Sequence, residues 1–469
     1  MHTDLRSHVA RAVLLAPLLA VTPACSDSES GGGTGFGSTT SDTGAEVEGS
    51  DGDGSSGVVT DGPALDDSSG AADDSGTSGG VAEPIDPDFG AVDELLEQFV
   101  ANHLSFPGAS IVIVDGDAGV IHRAAFGDYT VDSTVMLASV SKVPSAMLLM
   151  ALDDDPGLDF EIDAPAETYL PWDSAWPGIT TEHMLSNTSG MPGLQYVANV
   201  LGYGPHLCQF LAVGQLLGCA ETIYRTPLPL LPHNPPGTAF DYGGSQWQLA
   251  GAVAEIVGGR DWADLFDDYI ADPCELEVFE YGNMWTNPLG WNGGPDSLIG
   301  QDNPSIEGGA ISNIDDYAKI LMMHLNEGRC GDTAVMSPES VEFMRIDRGT
   351  PAGSVDRGYG LGWWIMRPDE GEPYLYIDPG AFGAVSWIDT SRNIGGLVAF
   401  ADYALINAGD AHAMIVDELI PLVEDAYDAA AGAPAGEPSL GLLRPSGSFP
   451  SMAPVIEALR HLPPDGTAQ

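Results

Sequence analysis

The chain has 469 residues and a formal net charge of -54 at pH 7, with 69 acidic against 15 basic residues. The acidic excess runs along the whole chain, and residues 91–469 alone carry about 40 uncompensated negative charges. Such a surface repels phosphate groups, which excludes nucleic acid and anionic lipid as expected partners. The scarcity of lysine predicts a halotolerant protein whose self-repulsion is screened by salt, and the alternative is an ordinary acidic secreted protein.

Residues 1–24 have the pattern of an export signal. They contain two arginines and then an apolar run that is too short to span a membrane, and they end directly before Cys25. The small residue before Cys25 resembles a bacterial lipobox, so we expect lipidation of Cys25. The predicted product is a membrane-anchored lipoprotein, with a periplasmic or secreted protein as the alternative. Membrane contact is expected only through this anchor.

The rest of the chain divides by composition. Residues 25–90 are rich in Ser, Gly and acidic side chains and lack Lys and Arg, which predicts a flexible tether. Residues 91–430 are long enough for one large domain. Residues 431–469 form a tail rich in Pro and Gly that we leave unassigned.

Periodicity within the domain predicts an α+β protein. An amphipathic helix precedes two apolar strands, a buried helix begins near Ser139, and a region of short helices and loops leads to a final group of strands. Strands from both ends of the sequence indicate one antiparallel sheet with a helical subdomain beside it. The predicted helices are residues 93–103, 139–152 and 412–430, and the predicted strands are residues 109–114, 120–126, 360–366, 374–377, 384–388 and 394–400.

Four cysteines remain after Cys25, which in an exported chain is compatible with two disulfides. Local spacing favours Cys208 with Cys219, which leaves Cys274 with Cys330. Three pairings are possible, and the sequence does not choose among them.

The segment Ser139-Val140-Ser141-Lys142 is the first candidate for chemistry. In a helix, residues three apart share a face, so the Lys142 ammonium can reach the Ser139 hydroxyl. A helix N-terminus favours a developing alkoxide and disfavours a protonated lysine. The chain has only two lysines, Lys142 and Lys319, so a chance match of one of them is improbable. The spacing predicts a serine nucleophile beside its base, and the alternative is a lysine on an exposed turn.

Six short motifs follow one another along the domain. They are Pro-Gly-Ala at 107–109, Ala-Ser-Val-Ser-Lys at 138–142, the segment 184–192 ending in Thr-Ser-Gly-Met-Pro, Pro-Gly-Thr-Ala-Phe-Asp-Tyr at 236–242, Gly-Gly-Ala-Ile-Ser at 308–312 and Tyr-Gly-Leu-Gly-Trp at 359–363. In these landmarks and their order the chain resembles the serine β-lactamase-related hydrolases, which include class C β-lactamases, penicillin-binding DD-peptidases and related esterases. The resemblance implies a β-lactamase/transpeptidase-like fold.

Two motifs depart from the family pattern. The tyrosine motif, usually Y-x-N or Y-x-S, ends here in Gly244, so its third position lacks a side-chain donor, and Ser245 is a possible substitute. The third motif, usually K-T-G or H-x-G, matches Asp378-Pro379-Gly380, so a carboxylate replaces a cation. Asp-Pro-Gly is also a common turn, which leaves a purely structural interpretation of Asp378 open.

The resemblance implies a role for each matched residue. Ser139 is the expected nucleophile, and Lys142 and Tyr242 share the proton transfers. A phenol acts as a base only if nearby positive charge lowers its pKa well below roughly 10, and Lys142 is the expected source of that charge. The oxyanion is expected between the backbone amides of Ser139 and Ala381.

The leading hypothesis is an exported serine hydrolase that acts on an ester or amide, and the competing one is a non-catalytic cell-envelope binding protein with a degraded site. Gly244, Ser245, Asp378 and Gly380 are the expected substrate contacts, and the substrate is a small or cell-wall-derived molecule. Asp378 favours neutral esters over β-lactams or DD-peptides. A substrate carboxylate would need an arginine, and the candidates by sequence proximity are Arg345, Arg348 and Arg357. We predict no cofactor and no metal, since the histidines show no ligand spacing.

Overall fold

The structure is a computed structural model that describes residues 85–354, 357–366 and 371–432. The predicted signal peptide (1–24), the lipidation site Cys25, nearly all of the tether and residues 433–469 of the tail lie outside the described residues.

The main sheet has seven antiparallel strands contributed by both ends of the domain, as the pattern predicted. Its strand order is β2-β1-β12-β11-β10-β9-β8. A small sheet has the order β3-β5-β4, and β6 pairs with β7. The strands are β1 Gly108–Asp115, β2 Gly119–Gly127, β3 Val135–Met136, β4 Glu280–Tyr281, β5 Ala310–Ser312, β6 Arg329–Cys330, β7 Thr333–Ala334, β8 Gly358–Tyr359, β9 Trp364–Met366, β10 Leu375–Pro379, β11 Val385–Asp389 and β12 Ile394–Ala399.

Strand burial follows from position in the sheet. Strands β1, β10, β11 and β12 are buried along their whole length because they lie in its interior, whereas the edge strand β2 is only partly covered. Gly396 of β12 lies under the ring of Trp387, where a Cβ would collide with the indole. The helices pack against these apolar strands.

Helices pack against the sheet, and most of them lie between β3 and β8 in the chain. Helix α9 packs on β1 and β12, while α1 packs on β2. The helices are α1 Gly90–Asn102, α2 Lys142–Asp153, α3 Thr181–Leu185, α4 Val200–Tyr203, α5 Leu216–Arg225, α6 Ser245–Gly258, α7 Trp262–Phe266, α8 Asp272–Cys274, α9 Ile314–Leu325, α10 Pro338–Arg345, α11 Ala408–Met414 and α12 Ile420–Ala430. None of the helices within the described residues is long and apolar enough to cross a bilayer.

The structure corrects three predicted elements. The strand expected over 360–366 is interrupted by a turn at Gly362 (φ 86°), where a Cβ would come within 3.0 Å of the backbone of Val143. Ser139 lies in a 3-10 turn, Ala138–Ser141, and the α-helix begins only at Lys142. The final helix begins at Ala408 and continues through a π-helical turn, Ile415–Leu419.

Two disulfides tie the helical region together. They join Cys208 to Cys219, across 11 residues, and Cys274 to Cys330, across 56 residues. This is the pairing that local spacing favoured, and each bridge restricts the unfolded chain.

Candidate active site

Ser139 lies in the turn directly before α2, and this turn packs against β5 and β10. The preceding residue, Ala138, has a φ of 48°, an uncommon backbone conformation for a residue with a side chain. This bend leads into the 3-10 turn and then into α2, so the Ser139 hydroxyl faces the first residue of the helix. Ser139 is 6% exposed and Lys142 is fully buried. Both side chains are therefore held in a protein environment that strengthens their interaction.

Lys142 makes the contact that the spacing predicted. Its Nζ donates to Ser139 Oγ at 3.1 Å and to the main-chain oxygen of Glu307 at 2.9 Å. The carboxylate oxygen Oε2 of the same glutamate is 3.5 Å from Nζ. The ammonium also lies 4.7 Å from the ring centre of Tyr242. Two directional hydrogen bonds fix the lysine against the nucleophile.

Tyr242 lies in the loop before α6, and the neighbouring segments hold this loop. Asn187 Oδ1 accepts from the backbone amide of Gly243 at 2.9 Å and from Trp247 Nε1 at 2.8 Å. The Tyr242 ring stacks on Trp364 with a centroid distance of 5.0 Å. Gly243 and Gly244 both have positive φ, 69° and 87°, which favours glycine at both positions. The interaction of the phenol with Ser139 lowers the pKa of Tyr242, as does the charge of Lys142.

The charges in the site differ from the expected pattern for a phenolate base. Burial raises the pKa of the Tyr242 phenol more strongly than Lys142 lowers it, so the tyrosine is neutral at physiological pH. Burial lowers the pKa of Lys142, but the interactions with Tyr242, Glu307 and Asp378 together raise this pKa by a larger amount. The net shift is therefore upward. The resting site therefore combines an ammonium with a neutral phenol.

Two backbone amides are available for an oxyanion. Within the described residues, neither the Ser139 nor the Ala381 amide donates to a protein acceptor. His412 Nε2 donates to the Gly380 carbonyl at 2.8 Å, and the Gly383 amide donates to it at 2.9 Å. Because the carbonyl and the N–H of a trans peptide point in opposite directions, these bonds direct the Ala381 N–H away from His412.

The remaining predicted contacts are more buried than expected. Gly244 donates its amide to Glu307 Oε2 at 2.8 Å, and Ser245 Oγ is 2.9 Å from His206 Nδ1. The Ser245 side chain is fully buried and its hydroxyl is hydrogen-bonded to His206. It therefore does not replace the missing side chain of the tyrosine motif. Asp378 is also fully buried, and burial raises the pKa of its carboxyl well above the usual range. Lys142 and the backbone amide of Val143 oppose this rise in the pKa.

Three residues around the site escaped the sequence analysis: Asn187, Glu307 and His412. Asn187 and Glu307 lie in or beside recognised landmarks, but each contacts residues far away in the sequence, so local spacing does not predict their roles. His412 lies 32 residues from Gly380, whose carbonyl it contacts, so no local spacing in the sequence reveals this role. The described residues contain no group of three His, Cys, Asp or Glu side chains that could hold a metal ion.

Comparison with known proteins places this geometry in context. A family model described as Beta-lactamase matches residues 92–416. The chain is 26% identical over 343 residues to Penicillin-binding protein 4 of Amycolatopsis lactamdurans, covering 66% of this chain and 83% of that protein. It is 23% identical over 367 residues to N-acetylmuramyl-L-alanine amidase of Bacillus subtilis (strain 168), covering 65% and 78%.

Solved structures share the fold. EstCE1, a hydrolase with promiscuous acyltransferase activity, gives a TM-score of 0.57 at 19% identity, covering 70% of this chain and 97% of that chain. The octameric penicillin-binding protein homologue from Pyrococcus abyssi gives 0.55 at 19% identity, covering 75% and 79%. The predicted α+β, β-lactamase/transpeptidase-like fold is confirmed.

Proposed function

Because the chain belongs to the beta-lactamase family, we propose that it is an exported serine hydrolase that cleaves an ester or an amide through an acyl-enzyme on Ser139. The observation that carries the proposal is the 3.1 Å hydrogen bond from Lys142 Nζ to Ser139 Oγ in a buried site. Tyr242 beside this pair supplies a group that can protonate the leaving group. The free amides of Ser139 and Ala381 provide donors for the oxyanion.

The substrate proposed for this site is a neutral short-chain ester. A β-lactam or a D-Ala-D-Ala stem carries a carboxylate, and the strand that offers a cation in the resembling enzymes offers Asp378 here. Of the arginines considered, Arg348 already donates to Glu182 at 2.6 Å. The surface is strongly anionic as well, which disfavours the approach of anionic substrates.

Labelling with a fluorophosphonate probe tests the enzyme hypothesis. We expect the protein to take up one label, and we expect Ser139→Ala to take up none. Failure of the folded protein to label, or equal labelling of Ser139→Ala, would favour the non-catalytic binding protein.

Substrate preference is tested separately by comparing p-nitrophenyl acetate with nitrocefin. The similarity to a penicillin-binding protein makes the β-lactam an informative competitor. We expect the ester to have the higher kcat/KM, and we expect Asp378→Lys to shift the preference toward anionic substrates. Efficient nitrocefin hydrolysis with negligible ester hydrolysis would overturn the proposed preference.

Export and lipid anchoring are also proposed, on the pattern of residues 1–25. Mass spectrometry of the mature N-terminus tests this proposal. A diacylglycerol-modified Cys25 is the expected result. A mature chain that begins before Cys25, or an unmodified Cys25 in the membrane fraction, would contradict it.

A further inference from the structure

Glu307 faces Lys142 with both its main chain and its side chain. The main-chain oxygen accepts from Nζ at 2.9 Å, and the carboxylate oxygen Oε2 lies 3.5 Å from the same nitrogen. The Glu307 side chain is 4% exposed and Lys142 is fully buried. An ion pair this deep is unusual, because removing two charges from water is expensive. Its presence one hydrogen bond from the candidate nucleophile suggests a role in the reaction.

The tyrosine loop is shaped around this carboxylate. Glu307 Oε2 accepts the amide of Gly244 at 2.8 Å, and a Cβ at Gly243 would stand 2.6 Å from the same oxygen. Gly243 therefore leaves space for Glu307, and Gly244, the position at which the tyrosine motif departs from the family pattern, supplies a donor. The second carboxylate oxygen, Oε1, is buried without a hydrogen-bond partner in the part of the chain that the structure describes. That oxygen is available to carry a proton.

The resting charges leave the serine without a base. An ammonium and a neutral phenol cannot accept the Ser139 proton, so acylation requires another acceptor. Glu307 is the carboxylate in contact with Lys142, and burial raises the pKa of its carboxyl although Lys142 and the Gly244 amide oppose the rise. A carboxyl with a raised pKa can hold a proton at neutral pH more readily than an exposed glutamate can.

We propose that Glu307 is the terminal proton acceptor of acylation and that Lys142 passes the serine proton to it. The proposal rests on the proposed function. Nζ gives one proton to the Glu307 carboxylate, and the lone pair that this frees takes the serine proton as the Ser139 Oγ–H bond breaks and the Oγ–carbon bond forms. The 3.5 Å gap between Nζ and Oε2 is within the range that catalytic contacts have before substrate binds.

Collapse of the tetrahedral intermediate returns the proton. Tyr242 gives its phenolic proton to the leaving group as the bond from carbon to the leaving group breaks. Lys142 then donates a proton to the phenolate, and Glu307 donates its proton to Lys142. The net result is transfer of the serine proton to the leaving group, with no oxidation or reduction. The next turnover step, attack by water, uses the same path.

The Glu307 carboxylate is expected to change how the reaction rate depends on pH. In the native site Lys142 and Glu307 together hold one proton over a broad range, so the rate is expected to be nearly constant around neutrality. Without the carboxylate, Lys142 must first lose a proton to solvent, so the rate rises about tenfold per pH unit below the pKa of Lys142. The other titratable groups that act on this pair are Tyr203, Tyr242, Tyr359 and Asp378.

The test is the pH–rate profile of Glu307→Gln for p-nitrophenyl acetate. Glutamine keeps the shape and an oxygen for the Gly244 amide but cannot accept the proton. We expect kcat at pH 7 to fall about 10²–10⁴-fold and the profile to slope upward. Glu424→Gln is the matched control. Glu424 lies on α12, is 2% exposed, and has the cation of Arg392 at 3.7 Å. Its kcat and profile are expected to match those of the native protein.

The outcomes separate this proposal from the proposed function. A native protein that neither labels nor turns over ester would end both. A native protein that turns over ester, with Glu307→Gln within a few-fold of it or showing a flat profile, would overturn the role of Glu307 alone. If Glu307→Gln does not fold, Glu307→Asp retains the carboxylate and is expected to keep a flat profile at a lower kcat. A rising profile for Glu307→Asp would also overturn the proposal.

Discussion

Two clusters of charge in this protein each place one basic side chain among carboxyls, but they hold it differently. Arg392 donates to Asp428 at 2.8 and 2.9 Å and to Asp389 at 2.7 Å. Lys142 has its carboxylate partner, Glu307, at 3.5 Å. The arginine is 21% exposed, whereas the lysine is fully buried. The more deeply buried cluster is thus the one with the looser charge pair.

Chemistry explains the difference. A planar guanidinium satisfies two carboxylates at once and does not lose its proton, and the hydrogen bonds to Asp428 raise the pKa of Arg392 further. An ammonium changes its protonation state more readily when it is buried, and here it also contacts a hydroxyl. We infer that the Arg392 cluster stabilises the scaffold, while the Lys142 cluster is arranged so that protons can move. Four predictions test this division.

The largest expected effect is on turnover in Lys142→Ala. Removing the amine takes away a group that donates hydrogen bonds to both Ser139 and Glu307. We expect kcat for p-nitrophenyl acetate to fall about 10²–10⁴-fold. The fold is expected to survive, because the raised pKa of Glu307 allows the orphaned carboxyl to become neutral. Circular dichroism and the Tm check the fold.

The other lysine of the chain is the matched control for that variant. Lys319 is 36% exposed and lies 3.7 Å from Asp316. Lys319→Ala is therefore expected to leave kcat unchanged. A Lys142→Ala protein within a few-fold of the native rate would show that the base lies elsewhere.

The second prediction concerns His412 and the oxyanion amides. His412→Leu removes the donor that holds the Gly380 carbonyl, so the Ala381 amide loses its fixed direction. We expect kcat to fall about 10–100-fold with little change in KM, because the loss is felt by the transition state. Burial lowers the pKa of His412 to about 4, so a neutral amide is a fair replacement for the imidazole. His412→Gln is expected to recover part of the loss, and equal rates in both variants would contradict the role.

These residues also show how far the sequence alone could lead. Ser139 and Lys142 are three positions apart, so local helical geometry was enough to bring them together. Glu307 lies 165 residues from Lys142, and only the folded chain places them in contact. Helix α6 begins at Ser245 with the hydroxyl turned toward His206, a direction that no spacing encodes. Local contacts were thus predictable, while the polar surroundings of the site depended on tertiary packing.

The strands show the same limit. Strand β10 was predicted almost to its bounds because its apolar run is buried on both faces. The strand predicted over 360–366 begins only at Trp364, because Gly362 adopts a positive φ where it approaches α2 closely, and a glycine in an apolar run does not reveal that conformation. Pro379 fits its position because β9 pairs with β10 only over 375–377, which leaves no ladder bond on that side for Pro379 to break.

The third prediction addresses the scaffold cluster. Arg392→Ala leaves Asp389 and Glu424, both almost fully buried, without their cation. Breaking a buried pair in this way costs roughly 3–5 kcal/mol, so we expect the Tm to fall by several degrees. The kcat per folded molecule is expected to stay the same, because the hydrogen bonds and ion pairs of Arg392 within the described residues are to Asp389, Glu424 and Asp428 and not to the site residues. A change in the pH–rate profile of Arg392→Ala would contradict the inference that the Arg392 cluster only stabilises the scaffold.

The smallest expected effect, that of salt on the Tm, concerns the surface rather than either cluster. Roughly 40 uncompensated negative charges repel one another in the folded domain, and the Debye length shortens from about 10 Å at 0.1 M to about 3 Å at 1 M ionic strength. We expect the Tm to rise by a few degrees as NaCl increases over this range at neutral pH. The buried Lys142 and Glu307 pair is screened much less than the surface, so the shape of the pH–rate profile is expected to stay constant. Potassium chloride controls for a specific sodium effect, and a flat or falling Tm curve would contradict the predicted halotolerance.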